Sequence, residues 1–217
     1  MNAFKLLMAA SCFLGLATSG VAKQDYSKSE GLLQYVDPYI GSGFHGHVFV
    51  GTSVPYGMVQ LGPNNIHKGW DWCSGYHYSD SILIGFSHTH LSGTGCIDLG
   101  DILFRPSLQT PLVFSHSDEK ASPGYYSVNL KEAGVLAELT TTPHVGIHRY
   151  TYKKETEATL VVDMDHLLDN EYIYEGWVKQ TGENELTGMR RTRGWVDNQY
   201  VFFVAQFSQP FSSMEQP

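Results

Sequence analysis

Apolar and polar residues alternate through much of the chain beyond about residue 101. Tyr126, Val128 and Leu130 alternate with Ser127 and Asn129, directly after the turn signal Ser122-Pro123-Gly124. Val135, Ala137 and Leu139 alternate with Leu136, Glu138 and Thr140. A period of two places alternate side chains on opposite faces, so both segments are predicted strands. The stretch from Val145 to Tyr152 is β-branched and aromatic, bounded by Pro143 and by Lys153-Lys154. Leu160 to Met164 and Tyr200 to Phe207 read as short buried strands. The second is apolar almost throughout, which predicts cover on both faces. Strands recurring every ~8–12 residues with turn residues between them predict an all-β fold, an antiparallel β-sandwich. No segment carries a sustained helical period, and no internal repeat is visible.

The earlier part of the chain has a different character. Residues 41–100 hold 12 of the 22 glycines, and six of the ten histidines lie between His45 and His90. Glycine at this density lowers stability unless tight turns or a close ligand or neighbouring domain require it. Further upstream, Lys5 precedes an apolar stretch from Leu6 to Leu16, and small residues end in Gly20-Val21-Ala22. This layout predicts a signal peptide over residues 1–22, cut after Ala22. Residues 23–35 then form a linker, and the sandwich occupies 36–217. The chain is expected to be exported, to the periplasm or the exterior of a bacterium.

Composition narrows the function classes. With 42% hydrophobic and 17% charged residues among 217, the chain is globular. Its 22 acidic against 14 basic residues give a net charge of −8, with no basic run. That argues against nucleic acid as a partner, because phosphate binding needs clustered Lys and Arg. No apolar run of ~18 residues follows the leader, so no membrane span is expected. Cys12 leaves with the leader. Cys73 and Cys96 remain in an oxidising compartment, where they could pair, although two cysteines do not establish a bridge.

Three motifs carry candidate chemistry. Asp37 to His47 includes Gly41, Gly43 and Gly46 around His45 and His47, a loop able to present backbone N–H groups and imidazoles to a polar ligand. It lacks the Gly-Lys-Ser/Thr of a phosphate loop. Gly69 to Tyr78 holds Trp70, Trp72, Tyr76, Tyr78 and His77, the composition of a sugar-contacting surface. If extended, Trp70 and Trp72 share a face, and one is expected in the core. In Gly85 to Cys96, His88 and His90 would point the same way in a strand, two ligands of a conceivable zinc site. Hydrogen-bonded histidines beside a ligand or domain interface are the simpler reading. Cys96 could be a thiol nucleophile only with a base and an electropositive setting. Asp98 and Asp101 could be an acid/base pair, but short acidic turns at strand ends are far commoner.

The run Val36 to His47, with Val54-Pro55-Tyr56-Gly57-Met58-Val59-Gln60-Leu61, resembles the start of glycoside hydrolase family 92. Trp72-Cys73-Ser74-Gly75-Tyr76-His77-Tyr78 and Gly85 to Gly93 are similar to it as well. Gly124 to Val128, Ala137 to Thr140 and His148-Arg149-Tyr150 continue the resemblance, which spans most of residues 36–211. It implies the N-terminal domain of a secreted, exo-acting, inverting, calcium-dependent α-mannosidase. That domain is a galactose-mutarotase-like supersandwich. In the family it packs on a catalytic (α/α)6 barrel that carries the carboxylates and the calcium ligands. No such barrel follows here, so the expected chain is a fragment or an incomplete gene product whose sandwich lacks its last strands. Alone it should be inactive, with no catalytic residue or metal ligand of its own. The residues expected to meet a mannose-containing glycan are Gly43, His45, Gly46, His47, Trp72, Cys73 and Ser74, with Trp72 stacking on the sugar. His88 and His90 are expected near the interface with the barrel. Rival readings are a free-standing carbohydrate-binding module and an autonomous thiol or metal hydrolase.

Overall fold

Turn residues divide the chain into short extended segments, as the period-two pattern requires. The computed structural model describes residues 31–154, 158–169 and 172–215. The expected leader, residues 1–22, lies outside the described residues. In chain order the first strands are β1 (Gly62–Asn64), β2 (Ile82–Leu83), β3 (Gly85–Ser87), β4 (Leu103–Arg105) and β5 (Leu112–Val113). Then come β6 (Glu119–Ser122), β7 (Tyr125–Leu130), β8 (Val135–Thr141) and β9 (Gly146–Tyr152). The last are β10 (Val161–Asp163), β11 (Tyr172–Gly182), β12 (Glu185–Arg193) and β13 (Gln199–Gln206). Among the described residues, helix is confined to a turn at 31–33 and two 3-10 turns, Trp70–Trp72 and His116–Asp118.

All strand pairings among the described residues are antiparallel. One four-stranded sheet runs β6-β7-β8-β9, a second runs β1-β3-β4-β10, and β11-β12-β13 form a three-stranded sheet. The core lies between them. Tyr126, Val128 and Leu130 of β7 and Val135, Ala137 and Leu139 of β8 are buried. They join Phe86 and Phe104 from the second sheet, Leu61 just before β1 and Leu186 from β12. Burying each Val, Leu or Phe of this set contributes about 1.5–3 kcal/mol. The register puts Val128 opposite Ala137, and Ala137 opposite Tyr150, so the predicted inward face is continuous across three strands.

Two expectations fail here. The strand at Tyr200–Phe207 is not covered on both faces. Val201, Phe203 and Ala205 pack against the core, whereas Phe202 and Val204 are each 67% exposed. β13 is the edge strand of its sheet, and the outer face of that sheet meets solvent among the described residues. A continuous apolar run cannot distinguish a doubly covered strand from one whose outer face is merely apolar. Local stacking shields part of that face: Tyr200 lies on Phe202 at 6.4 Å, and the Arg191 guanidinium sits 5.3 Å from the Tyr200 ring. The second failure is at Trp70 and Trp72. They sit in a 3-10 turn, not a strand, and neither is in the core.

Candidate functional site

The loop around residues 41–48 folds back on itself. Val48 N–H donates to Gly41 C=O at 3.0 Å and Gly46 N–H to Gly43 C=O at 3.2 Å. A Cβ on Gly46 would lie 2.1 Å from the Gly41 carbonyl oxygen, so only glycine fits there. Gly43 packs beside Tyr78. Phe44 and His47 both take left-handed backbone, with φ of 52° and 55°. Such residues raise the energy by about 1–3 kcal/mol each and persist where the surroundings impose them.

That conformation delivers His45 and His47 to the 3-10 turn at Trp70–Trp72. His45 Nδ1 lies 2.6 Å from Asp71 Oδ1, and His47 Nε2 lies 3.3 Å from the same oxygen. The His45 hydrogen bond holds the Asp71 carboxyl below its usual range, with His47 adding to the effect. The Trp70 ring stacks on His45 at 5.7 Å and lies 4.3 Å from the His47 ring. Its indole N–H donates to Gly95 C=O at 2.6 Å. Trp70 remains 54% exposed, an oriented aromatic surface beside two imidazoles. Trp72 is only half-buried but already occupied. It stacks on His77 at 4.4 Å, and its N–H donates to Asp80 Oδ2 at 3.1 Å.

Gly95 holds this arrangement from the other side. Its φ is +64°, and a Cβ would meet Trp70 Cζ2 at 3.1 Å and His47 Nδ1 at 3.3 Å. Gly95→Ala is therefore expected to lower stability by about 1–2 kcal/mol through the left-handed backbone alone. It should also displace the Trp70 indole. Chemical denaturation and a shift in tryptophan emission check this. Unchanged stability and emission would contradict the packing.

Cys73 and Ser74 are each 1% exposed, inside the turn that follows Trp72. Both Cys73 and Cys96 are free thiols, so the possible bridge does not form. Burial pushes the Cys73 thiol up to about 11. Burial, and then the charge of Asp98, also raises Cys96, the reverse of an activated nucleophile. His88 and His90 belong to separate networks rather than a shared metal site. His88 Nδ1–H donates to Ile102 C=O at 2.8 Å, which leaves Nε2 to accept from His148 Nε2–H at 2.9 Å. His148 Nδ1 then accepts the Tyr150 hydroxyl at 2.7 Å. His90 lies beneath Gly75, with Nδ1 2.8 Å from Gln60 C=O and Nε2 3.0 Å from Ser87 Oγ.

Asp98 and Asp101 do not form an open acid/base pair. Asp98 Oδ2 accepts from Trp195 N–H at 2.7 Å and Oδ1 from Leu99 N–H at 2.8 Å. Asp101 Oδ2 accepts from Thr89 Oγ1 and Gln199 Nε2 at 2.8 and 2.7 Å. Both are buried structural carboxylates. The residues that the sequence reading missed are Trp70 as the freer platform and Asp71 as the partner of both histidines. Only the 26-residue loop closure between His45 and Asp71 brings the pair together.

The sequence model of the glycosyl hydrolase family 92 N-terminal domain matches residues 35–216. The chain belongs to that family. A family 92 α-mannosidase from Bacteroides thetaiotaomicron, solved with mannoimidazole, is 35% identical with a TM-score of 0.79. The match covers 83% of this chain and 26% of that one. Another family 92 glycosyl hydrolase superposes with a TM-score of 0.70 at 25% identity, covering 82% of this chain and 26% of its own. A protein from Arthroderma benhamiae described as an uncharacterized secreted glycosidase is 33% identical over 175 residues, 72% of this chain and 22% of that protein. The chain thus corresponds to about a quarter of the length of these relatives, their N-terminal domain. Among the described residues no helix is long and apolar enough to cross a membrane.

Proposed function

We propose that this chain is the sugar-contacting sandwich domain of an exported, inverting, calcium-dependent α-mannosidase, lending its 43–47 loop and the Trp70 turn to a mannose cleft. The observation that carries this reading is the half-exposed Trp70 indole, fixed by Gly95 and flanked by His45 and His47. An indole face packs on the C–H face of a pyranose, while imidazoles read its hydroxyls. Trp70 is the stacking platform in this account. Trp72, with one face on His77, orients the turn beneath it. Cys73 and Ser74 shape that turn from inside.

Catalysis belongs to a partner domain. Inverting hydrolysis needs two carboxyls about 6.5–9.5 Å apart with a water between them. Among the described residues, the buried carboxylates Asp80, Asp98, Asp101 and Glu119 are each held by N–H, hydroxyl or cationic side-chain partners. Calcium requires six to eight oxygen ligands. The metal-type cluster among the described residues, His45, His47 and Asp71, is rich in nitrogen and does not fit calcium. Calcium ligation is therefore assigned to the catalytic domain.

Calorimetric titration with α-1,2-mannobiose tests the reading. Saturable binding is expected, weakened about tenfold or abolished in Trp70→Ala, a loss of about 1.4 kcal/mol or more. Trp72→Ala should act mainly through stability. No hydrolysis is expected, with or without calcium. Turnover by the chain alone, or binding indifferent to Trp70→Ala, would sink the assignment.

A further inference from the structure

His45, His47 and Asp71 converge where the 41–48 loop meets the Trp70–Trp72 turn. Their ligand atoms all lie within 4.8 Å of one another. Bonds of about 2.0–2.2 Å to a tetrahedral ion leave neighbouring ligand atoms roughly 3.3–3.5 Å apart. The His47–Asp71 separation of 3.3 Å already matches that spacing. The His45–Asp71 separation of 2.6 Å must open, and the His45 and His47 nitrogens, within 4.8 Å of each other, must settle to the same spacing. The side chain that must move is the one free to do so: His45 is 69% exposed, whereas His47 is 6% exposed.

The fixed ligand is held on several sides. His47 C=O accepts from Gly93 N–H at 2.7 Å, and its ring lies against Trp70. Asp71 is carried by the 3-10 turn at Trp70–Trp72. We propose that His45 Nδ1, His47 Nε2 and the Asp71 carboxylate bind one zinc ion, stapling the 41–48 loop to the Trp70–Trp72 turn. Two imidazole nitrogens and one carboxylate oxygen form a borderline-soft set that suits zinc and disfavours calcium. Three protein ligands leave a fourth coordination position for water. On binding, each histidine keeps one proton on its other ring nitrogen, and Asp71 exchanges two hydrogen bonds for the metal. The site does not depend on the sugar reading, and the exposed part of the Trp70 indole stays available.

The test is calorimetric titration of zinc chloride into the untagged, metal-free full chain. One zinc per chain is expected, with a rise in melting temperature. Asp71→Asn and His45→Ala should each weaken binding at least about tenfold and abolish the thermal shift. His144→Ala, at an exposed histidine remote in sequence, should bind as the native chain does. Calcium chloride should give no comparable heat. His45→Ala removes an exposed side chain, so it reports on the site even if substitutions at buried His47 fail to fold. Absence of saturable zinc binding at about 100 μM, a level that a three-ligand site should exceed, overturns the proposal. So does undiminished binding in His45→Ala and Asp71→Asn. Mannoside binding without zinc binding overturns this inference alone, and zinc binding without mannoside binding overturns only the sugar reading.

Discussion

Arg190→Met is expected to destabilise the domain by about 3–5 kcal/mol at neutral pH, because it strands a buried carboxylate. Arg190 and Asp101 are both fully buried, with Arg190 Nε 3.6 Å from Asp101 Oδ1. Arg190 lies mid-strand in β12, opposite Gly176 on β11 and Val201 on β13. The ion pair therefore ties the three-stranded sheet to the segment carrying Thr89 and Asp101. Burial raises the Asp101 carboxyl, and Arg190 is the first factor opposing that rise. Without the guanidinium the folded-state value climbs further. An acid whose folded value is raised gains stability as pH falls through that value. The deficit of Arg190→Met relative to the native chain should therefore shrink toward pH 5. Urea denaturation of both proteins at pH 7 and pH 5 measures it. A deficit below about 1 kcal/mol, within the range of an exposed pair, would contradict the role assigned to this pair.

The second large effect is acid unfolding driven by buried histidines. Burial lowers His88 and His90 to about 4 and His166 to about 3, and holds His148 well below its usual range. Each is neutral in the fold and becomes charged in the unfolded chain below about pH 6.5. The unfolded chain then binds more protons, so stability is retained above about 6.5 and lost as pH falls toward 4. Well below 6.5, each group removes about 1.4 kcal/mol per pH unit. Against a total of about 5–15 kcal/mol, several such groups acting together unfold the domain before pH 4. The His88–His148 bond strengthens the effect, since a proton on either ring places a charge against its neighbour or breaks the donor order through Tyr150. Unfolding free energies from pH 7 to 5 should show uptake of more than two protons. A flat profile over that range would contradict the neutral, buried assignment.

Much of the sandwich was legible because β7 and β8 present one apolar face and one polar face. Val135, Ala137 and Leu139 are buried where the alternation placed them. β11 and β12 were not legible. Most of β11 is exposed, and Glu175, Lys179 and Gln180 share it with Trp177 and Val178, so no clean period appears. The strands between Gly62 and Val113 span two or three residues, too short for any periodicity. The site was partly legible. Its glycines and histidines stand out in composition, and Gly46 is explained by the carbonyl of Gly41 facing it. The choice between Trp70 and Trp72 was not legible. It depends on a 3-10 turn that sends one indole toward His45 and the other toward His77. His88 and His90 looked like a pair by spacing, yet their hydrogen bonds carry them into different networks.

The central claim is that sugar meets this domain at the Trp70 turn and the 43–47 loop. Amide and indole NMR spectra of the chain during titration with α-1,2-mannobiose test it most directly. Progressive shifts are expected at the Trp70 indole N–H, at Gly95 and at residues 45–47, with Trp177 unmoved on the β11–β13 sheet. Shifts confined to the exposed aromatic face of β11–β13, or none at millimolar sugar, would contradict it.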